Sequence, residues 1–228
     1  MAKLLGICSL VLAITATSIA SAAMTSFQPN PVDLNDLDHH EVYTWRINNI
    51  NLGSETITGA SISIKSIANW DSNPNTLFIH LLDTAKQSGV RSFVDDPSNA
   101  SPVPVSQIID DFANPRYHNQ GAWLVANGTA DTFLTSRSFT TTPTDYVYTF
   151  TANQLNALNG YVANGKDIAL GFDPDCHFDN NGVTFKITTA AVPEPSALVL
   201  LGGGIIGLVC RHRTMRRRRI DRDAATAV

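Results

Sequence analysis

Alternating apolar and polar positions dominate the middle of the chain. Tyr43–Ile47 alternates and is rich in aromatic and β-branched residues, and a longer alternation covers Thr56–Ile67. Such period-two patterns predict strands with one buried face. Ile57 and Ile62 lie five residues apart, so both can face the core only if the strand contains a bulge. Gly59 is the residue at which we expect that bulge.

A continuous apolar run, Thr76–Leu82, predicts a second kind of strand. A run of this length, bounded by turn residues, is typical of a strand buried on both faces in the interior of a sheet. His80 lies inside the run. A histidine in such a position is more often a hydrogen-bonded core residue than a metal ligand, and we expect the former.

The carboxy-terminal half predicts further strands and one helix. Asp145–Phe150 places three aromatic side chains on one face, and Thr151 can then cap a short helix over residues 152–162. Two more strand patterns, Lys166–Phe172 and Gly182–Thr189, follow the helix. About eight strands without a βαβ rhythm predict an all-β fold, an antiparallel β-sandwich of jelly-roll type with one short helix.

The amino-terminal end has a different pattern. Lys3, an apolar run over Leu4–Ala16 and the small residues Ala20–Ala22 match the three parts of a secretory signal peptide. We therefore predict that residues 1–22 are removed on export. Residues 23–190 then form one domain, which is long enough to bury a core of its own.

The carboxy-terminal end carries three signals in succession. Pro193, Glu194 and Pro195 come first, an apolar stretch over Ala197–Cys210 follows, and a basic cluster ends the segment. The basic cluster consists of Arg211, Arg213, Arg216, Arg217, Arg218 and Arg219. The apolar stretch is shorter than the roughly 20 residues that span a bilayer comfortably. Arginines beside it extend its reach and favour a cytoplasmic carboxy terminus, so we predict a short transmembrane helix with a membrane-stop cluster.

This tail resembles the PEP-CTERM sorting tail of bacterial exosortase substrates. The resemblance implies that residues 191–219 are a sorting tail and residues 220–228 a cytoplasmic end. It also implies that an exosortase recognises the Pro-Glu-Pro motif while the chain is transiently anchored in the inner membrane. Cleavage would then pass the domain to the cell surface or to the extracellular polysaccharide matrix.

Charge narrows the choice of partners. The whole chain has a formal charge of −4, but the segment from Ala23 to Val192 contains 8 basic and 17 acidic residues, a formal charge of −9. Such an acidic domain repels phosphate backbones, which disfavours nucleic acid as a partner. Cys176 is the only cysteine of that segment, so the exported domain cannot form an internal disulfide.

An oxygen-rich loop near the end of the domain is the main candidate for ligand binding. Asp173, Asp175 and Asp179, together with Asn180, offer oxygens of the kind that calcium binds six to eight at a time. A solvated turn explains the same residues, because Asp-Pro and Asn-Asn-Gly are turn sequences. An earlier acidic group could also bind calcium, although its spacing matches no known calcium loop; it comprises Asp33, Asp36, Asp38 and Glu41.

The sequence contains no G-x-S-x-G, P-loop, H-E-x-x-H or Rossmann motif. We therefore predict a non-enzymatic surface or matrix protein that associates with extracellular polysaccharide. An exported polysaccharide hydrolase or a carbohydrate-binding module is the alternative. A glycosidase needs two carboxylates across a cleft, and aromatic residues on the strands can stack on sugars. The candidate aromatic residues are Trp45, Trp70, Trp123, Tyr146 and Tyr148.

Overall fold

Strands make up most of the described structure. A computed structural model describes residues 22–38, 41–73, 75–94, 110–113 and 131–191. The strands in this part of the chain are β1 (Ala23–Phe27), β2 (Glu41–Ile47), β3 (Glu55–Asn69), β4 (Thr76–Leu82), β5 (Gly89–Val94), β6 (Asp131–Ser138), β7 (Thr144–Thr149), β8 (Ile168–Pro174), β9 (Phe178–Asp179) and β10 (Val183–Ala191). One helix, α1 (Ala152–Gly165), lies between β7 and β8.

The strands form two antiparallel sheets. The first sheet has the order β1-β10-β3-β7, with β9 also paired to β3, and the second has the order β5-β2-β8-β4-β6. Side chains from both inner faces, such as Trp45 and Leu170 of the second sheet and Ile62 and Phe185 of the first, share one core. The predicted antiparallel all-β fold is confirmed. The prediction of about eight strands missed β1, β5 and the short β9, because none of the three has a sustained alternating apolar pattern. The jelly-roll connectivity stays a prediction.

The bulge expected at Gly59 is present in the pairing of β3 with β10. Thr188 lies opposite Gly59, whereas the next residue, Thr189, lies opposite Ile57. Thr58 is therefore the extra residue of β3. Its insertion lets Ile57 and Ile62 both reach the core, as their five-residue spacing required.

Helix α1 closes one end of the sandwich. Thr151 is its N-cap, as predicted, and forms a reciprocal capping box with Gln154. Leu158 and Val162 are buried on the side that faces the core. Asn159 fixes the helix to β3, because its side chain accepts a hydrogen bond from Ile57 N (2.9 Å) and donates one to Ile57 O (2.9 Å).

Strand β8 is buried on both faces throughout its length. Its inner face joins the main core. Its outer face is covered by residues 110–113, where Phe112 packs in a second apolar cluster with Val42, Leu82 and Ala169. The neighbouring strand β4 is also interior and is buried on both faces at Ile79–Leu82, as its continuous apolar pattern predicted.

The predicted signal peptide lies outside the described residues except for Ala22, and the sorting tail except for Ala191. Trp123 and the cytoplasmic end also lie outside them. The described residues all belong to one compact unit that ends at Ala191. In this part of the chain, no helix is both long enough and apolar enough to cross a membrane.

Gly171→Ala is expected to lower the free energy of unfolding by about 1–3 kcal/mol, as overpacking does in other cores. A Cβ at position 171 would lie 2.4 Å from Phe112 Cζ, so the ring over β8 would have to move. Gly160→Ala is the matched control, because a Cβ there meets nothing within 4 Å and alanine favours the helix by up to about 1 kcal/mol. Urea unfolding of the three domains measures both effects. Equal destabilisation by the two substitutions would contradict the close approach of Phe112.

Candidate ligand-binding cleft

A loop before β2 is tied to the residues that precede β10. Val183 N donates to Val32 O (2.8 Å), and Leu37 and Phe178 exchange backbone hydrogen bonds of 3.2 and 2.8 Å. Leu34 and Leu37 of this loop are fully buried. These contacts bring the early acidic residues beside the predicted calcium loop, about 140 residues further along the chain.

The same loop turns through the left-handed region of backbone conformation. Leu34, Asn35 and Asp36 have φ values of 63°, 63° and 52°. Non-glycine residues adopt this region rarely, and a leucine there is an outlier. The burial of Leu34 in the core holds the turn in place, and the turn presents the side chains of Asp33 and Asp36 on the surface.

Asn180 and Asp179 meet this turn from the other side. Asn180 N donates to Asp36 Oδ1 (3.2 Å), and Asn180 Nδ2 donates to Asp33 O (2.8 Å). Asp179 lies on β9, opposite Ala68 of β3. The turn, β9 and the end of β3 therefore converge at one end of the first sheet.

His177 lies between two carboxylates at this place. Its Nδ1 is 3.3 Å from Asp38 Oδ1, and its Nε2 is 3.1 Å from Asp179 Oδ1. Partial burial acts to lower the pKa of His177, but the hydrogen bonds to Asp38 and Asp179 outweigh it, and the pKa is raised above the usual histidine range. One ligand atom each from Asp36, His177 and Asp179 lie within 4.8 Å of one another, close enough for a metal ion to contact all three.

An exposed tryptophan borders the same surface. Trp70 has 68% of its surface accessible, and its ring meets His177 edge-on with the ring centroids 6.3 Å apart. Trp70 N donates to His177 O (3.1 Å), and this hydrogen bond fixes the backbone of Trp70 beside His177. Trp70 lines an open cleft of about 570 Å³ together with Asp33, Asp36, Ser66, Ala68, Asn69, Thr141, Pro143, Asp179, Asn180 and Asn181.

The four predicted calcium residues are distributed over two places. Asp179 and Asn180 lie at the cleft. Asp173 lies on the outer face of the second sheet, where its Oδ2 accepts a hydrogen bond from Asp111 N (2.8 Å). Asp175 follows β8, and its N donates to Thr76 O (3.0 Å). The cleft instead adds Asp36, which the sequence showed only as part of the separate early acidic group.

Burial differs between the cleft and the place occupied by Asp173 and Asp175, and it changes the pKa of the carboxyl groups at the latter. Asp173 is almost completely buried, and desolvation raises its pKa well above the usual range, with the nearby charge of Asp111 adding to the rise. Partial burial raises the pKa of Asp175 to about 6. Asp179 is exposed at the surface and accessible to a ligand.

The aromatic candidates also separate by burial. Trp45 is buried in the core, and Tyr146 and Tyr148 are partly buried residues that pack against the core. Trp70, which directly follows β3, is the one of these described aromatic residues that is mostly exposed. The side chain of Cys176 is partly exposed, and partial burial raises the pKa of its thiol.

His80 forms a second, buried histidine–carboxylate group on the outer face of the second sheet. Its Nε2 is 3.0 Å from Asp110 Oδ2, its Nδ1 is 3.3 Å from Asp131 Oδ1, and its ring stacks on Phe112. Burial acts to lower the pKa of His80, but the two carboxylates outweigh it and raise the pKa to about 9. The prediction that His80 is a hydrogen-bonded core residue is confirmed.

The His80 group makes stability depend on pH. The folded pKa lies above the unfolded value of about 6.5, so the stabilisation is complete below about pH 6.5 and is lost as the pH rises through 9. We expect His80→Gln to destabilise the domain by up to about 3 kcal/mol more at pH 6 than at pH 10. Urea unfolding of both proteins across that range measures the difference. Parallel stability profiles would contradict the charged network.

Calcium binding stays a prediction, but of the predicted residues only Asp179 and Asn180 lie at the cleft. A calcium ion in the cleft would use Asp36 and Asp179 as its carboxylates. We expect calcium at a hundred times its Kd to raise the thermal midpoint of the domain by about 5 °C or more, and a chelator to reverse the rise. Asp36→Asn and Asp179→Asn should abolish the effect. Asp83→Asn is the control, because Asp83 is not at the cleft and accepts a hydrogen bond from Asn164 of α1. Equal midpoints with calcium and with chelator would exclude the ion.

Comparison with known protein families gives a match to the carboxy-terminal segment of the chain. The protein-family model of the PEP-CTERM protein-sorting motif matches residues 191–219. A search of curated proteins and a search of solved structures gave no match to the chain. The matched range begins at the last residue of β10 and includes Pro193, Glu194 and Pro195 as well as the arginine cluster. The chain therefore carries a PEP-CTERM protein-sorting motif directly after its β-sandwich domain.

Proposed function

We propose that this chain is an exported surface or matrix protein that an exosortase releases from the inner membrane, and that its domain binds extracellular polysaccharide without cleaving it. The sorting motif over residues 191–219 is the observation that carries this proposal. Such a motif implies export, transient membrane anchoring and processing by an exosortase. A released protein needs a surface that retains it among the polymers outside the cell.

The cleft beside Trp70 supports polysaccharide as the ligand. A sugar ring presents an apolar face that packs on an open indole, and hydroxyl groups that bond carboxylates and amides. The cleft combines these groups, because the exposed Trp70 stands beside Asp36, Asp179 and Asn181. Its open form suits a polymer that passes along the surface.

The hydrogen bonds of the two cleft carboxylates support binding without cleavage. Asp36 accepts a hydrogen bond from Asn180 N, and Asp179 is hydrogen-bonded to His177. Both acids therefore hold together the segments that build the cleft. Carboxylates used in this way fix the shape of a site and offer their remaining oxygens to hydroxyl groups or to a cation.

A polysaccharide hydrolase is the second candidate, favoured by the proximity of Asp36 and Asp179. Their closest ligand atoms lie within 4.8 Å, whereas the two carboxyl groups of retaining glycosidases are about 5–5.5 Å apart. Release of reducing ends from the host's own matrix polysaccharide separates the two functions. Release that Asp36→Asn abolishes would establish the hydrolase and overturn binding alone.

The sorting step predicts a defined end for the mature protein. Mass spectrometry of the protein from its native host is expected to find a carboxy terminus close to Pro193. Replacing Pro193, Glu194 and Pro195 with alanine should keep the tail on the chain, because the recognition segment is lost. Glu194→Ala alone tests the part played by the charge. A mature protein that ends at Val228 in the unaltered host would contradict processing.

The stacking surface predicts a specific loss of binding. Trp70→Ala is expected to weaken binding of the domain to matrix polysaccharide by at least about tenfold, as removal of a central tryptophan does at other interfaces. Val147→Ala is the matched control, because Val147 is a similarly exposed apolar residue on β7, away from the cleft. Isothermal titration with solubilised polysaccharide measures both affinities. Equal losses in the two variants would argue against the cleft.

A further inference from the structure

One ring nitrogen of His177 faces two carboxylates at the cleft. His177 Nε2 is 3.1 Å from Asp179 Oδ1, and one ligand atom each from Asp36, His177 and Asp179 lie within 4.8 Å of one another. His177 immediately precedes β9 and Asp179 ends it, whereas Asp36 belongs to the turn before β2. The fold therefore brings an imidazole nitrogen and two carboxylate oxygens together from distant segments, which makes this a mixed set of metal ligands.

The identity and spacing of these atoms favour a small transition-metal ion. A tetrahedral zinc ion with bonds of about 2.0–2.1 Å separates its ligand atoms by about 3.4 Å. His177 Nε2 and Asp179 Oδ1 are already close to that separation. Calcium takes oxygen ligands, whereas zinc binds imidazole and carboxylate groups in the same site. The nitrogen of His177 therefore favours zinc over calcium.

The opposite nitrogen of the ring is held by a third carboxylate. His177 Nδ1 is 3.3 Å from Asp38 Oδ1. The backbone of Asp38 is fixed, because Asp38 N donates to Tyr43 Oη (2.9 Å) and the preceding residue, Leu37, exchanges hydrogen bonds with Phe178. Histidines that ligate metals almost always donate their second ring N–H to a carboxylate, a carbonyl or water, which fixes the tautomer and makes the other nitrogen more basic. Asp38 thus orients Nε2 for an ion.

The two ligating carboxylates are accessible and are not neutralised by a basic side chain. Within the described residues, neither Asp36 nor Asp179 forms an ion pair with a lysine or an arginine. The side chains of His177 and Asp179 are 28% and 64% exposed, whereas that of His80 in the other histidine–carboxylate group is 1% exposed. An ion can therefore reach the first group from water and retain a water ligand there.

We propose that Asp36, His177 and Asp179 bind a transition-metal ion of the zinc type, and that Asp38 is the positioning residue for the imidazole. Three protein ligands leave a further coordination position open. At the cleft, that position is accessible to water or to an oxygen of a bound ligand. The site differs from the predicted calcium site in its ion and in its use of His177. Metal binding does not depend on the proposed function, because it is measured without polysaccharide.

Isothermal titration of zinc into the metal-stripped protein tests the site. The protein is purified from its native host without a histidine tag. We expect one zinc ion per chain at the cleft. Asp38→Ala should weaken zinc binding by about 10–100-fold, as loss of an outer partner does at other metal sites, and His177→Ala should weaken it further. Asp38→Asn keeps an acceptor oxygen for Nδ1 and should recover part of the loss.

Two controls separate this site from the other histidines. His80→Gln removes the buried histidine between two aspartates, and the combined substitutions His39→Gln and His40→Gln remove the pair that follows Asp38 in the sequence. Both variants should bind zinc as the unaltered protein does, and circular dichroism checks that each is folded. Nitrogen NMR of the imidazole rings adds a readout that needs no variant, because the Nε2 signal of His177 should shift when zinc is added.

Unchanged zinc affinity in His177→Ala, or an Nε2 signal that does not move, would overturn the site. A loss of zinc binding in the folded His39 and His40 variant would also overturn it, because the ion would then be bound elsewhere. Calcium titrated in the same way should bind more weakly than zinc, and calcium binding that equals or exceeds it would contradict the proposed choice of ion. Equal losses in Asp38→Asn and Asp38→Ala would overturn the positioning role of Asp38.

Discussion

The antiparallel pairing of β3 with β10 is the constraint on which the rest of the domain depends. These are the two longest strands among the described residues, and between them they pair with every other strand described in the first sheet. Their inner faces supply Ile62, Ile64, Phe185 and Ile187 to the core. Because the domain has one cysteine and cannot form an internal disulfide, this packing must supply the stability that disulfides give many exported domains. The same ladder sets the distance between the cleft and the point at which the tail begins.

Two groups of similar composition illustrate how burial assigns different roles. His80 and His177 each lie between two aspartates, yet the first is enclosed under Phe112 and the second is open beside Trp70. In the enclosed group, the carboxylates compensate the charge of an imidazole that has lost its water. In the open group, water and ligands still reach the oxygens. The first arrangement therefore stabilises the fold, and the second is available for recognition.

Local patterns predicted most of the fold, and long-range contacts account for what they missed. The five-residue spacing of Ile57 and Ile62 located the bulge, and the position of Thr151 located the start of α1, because each depends on neighbouring residues alone. The cleft depends on pairing across about 140 residues, so its two acidic halves appeared in the sequence as unrelated groups. Spacing also suggested that Asp173 and Asp179 act together. Their strands belong to different sheets, and a pattern read along one chain carries no information about that separation.

The continuation of β10 to Ala191 bears on what remains after the tail is cut. Ala191 is still paired with Glu55, and the Pro-Glu-Pro segment begins two residues later. A cut near Pro193 leaves almost no chain beyond β10. The product then has no carboxy-terminal extension that another protein could bind, modify or attach to a further molecule. The residues that retain such a product at the cell surface must therefore lie on the surface of the folded domain. Selection on retention would then act on cleft residues such as Trp70 and not on the few residues left beyond the last strand.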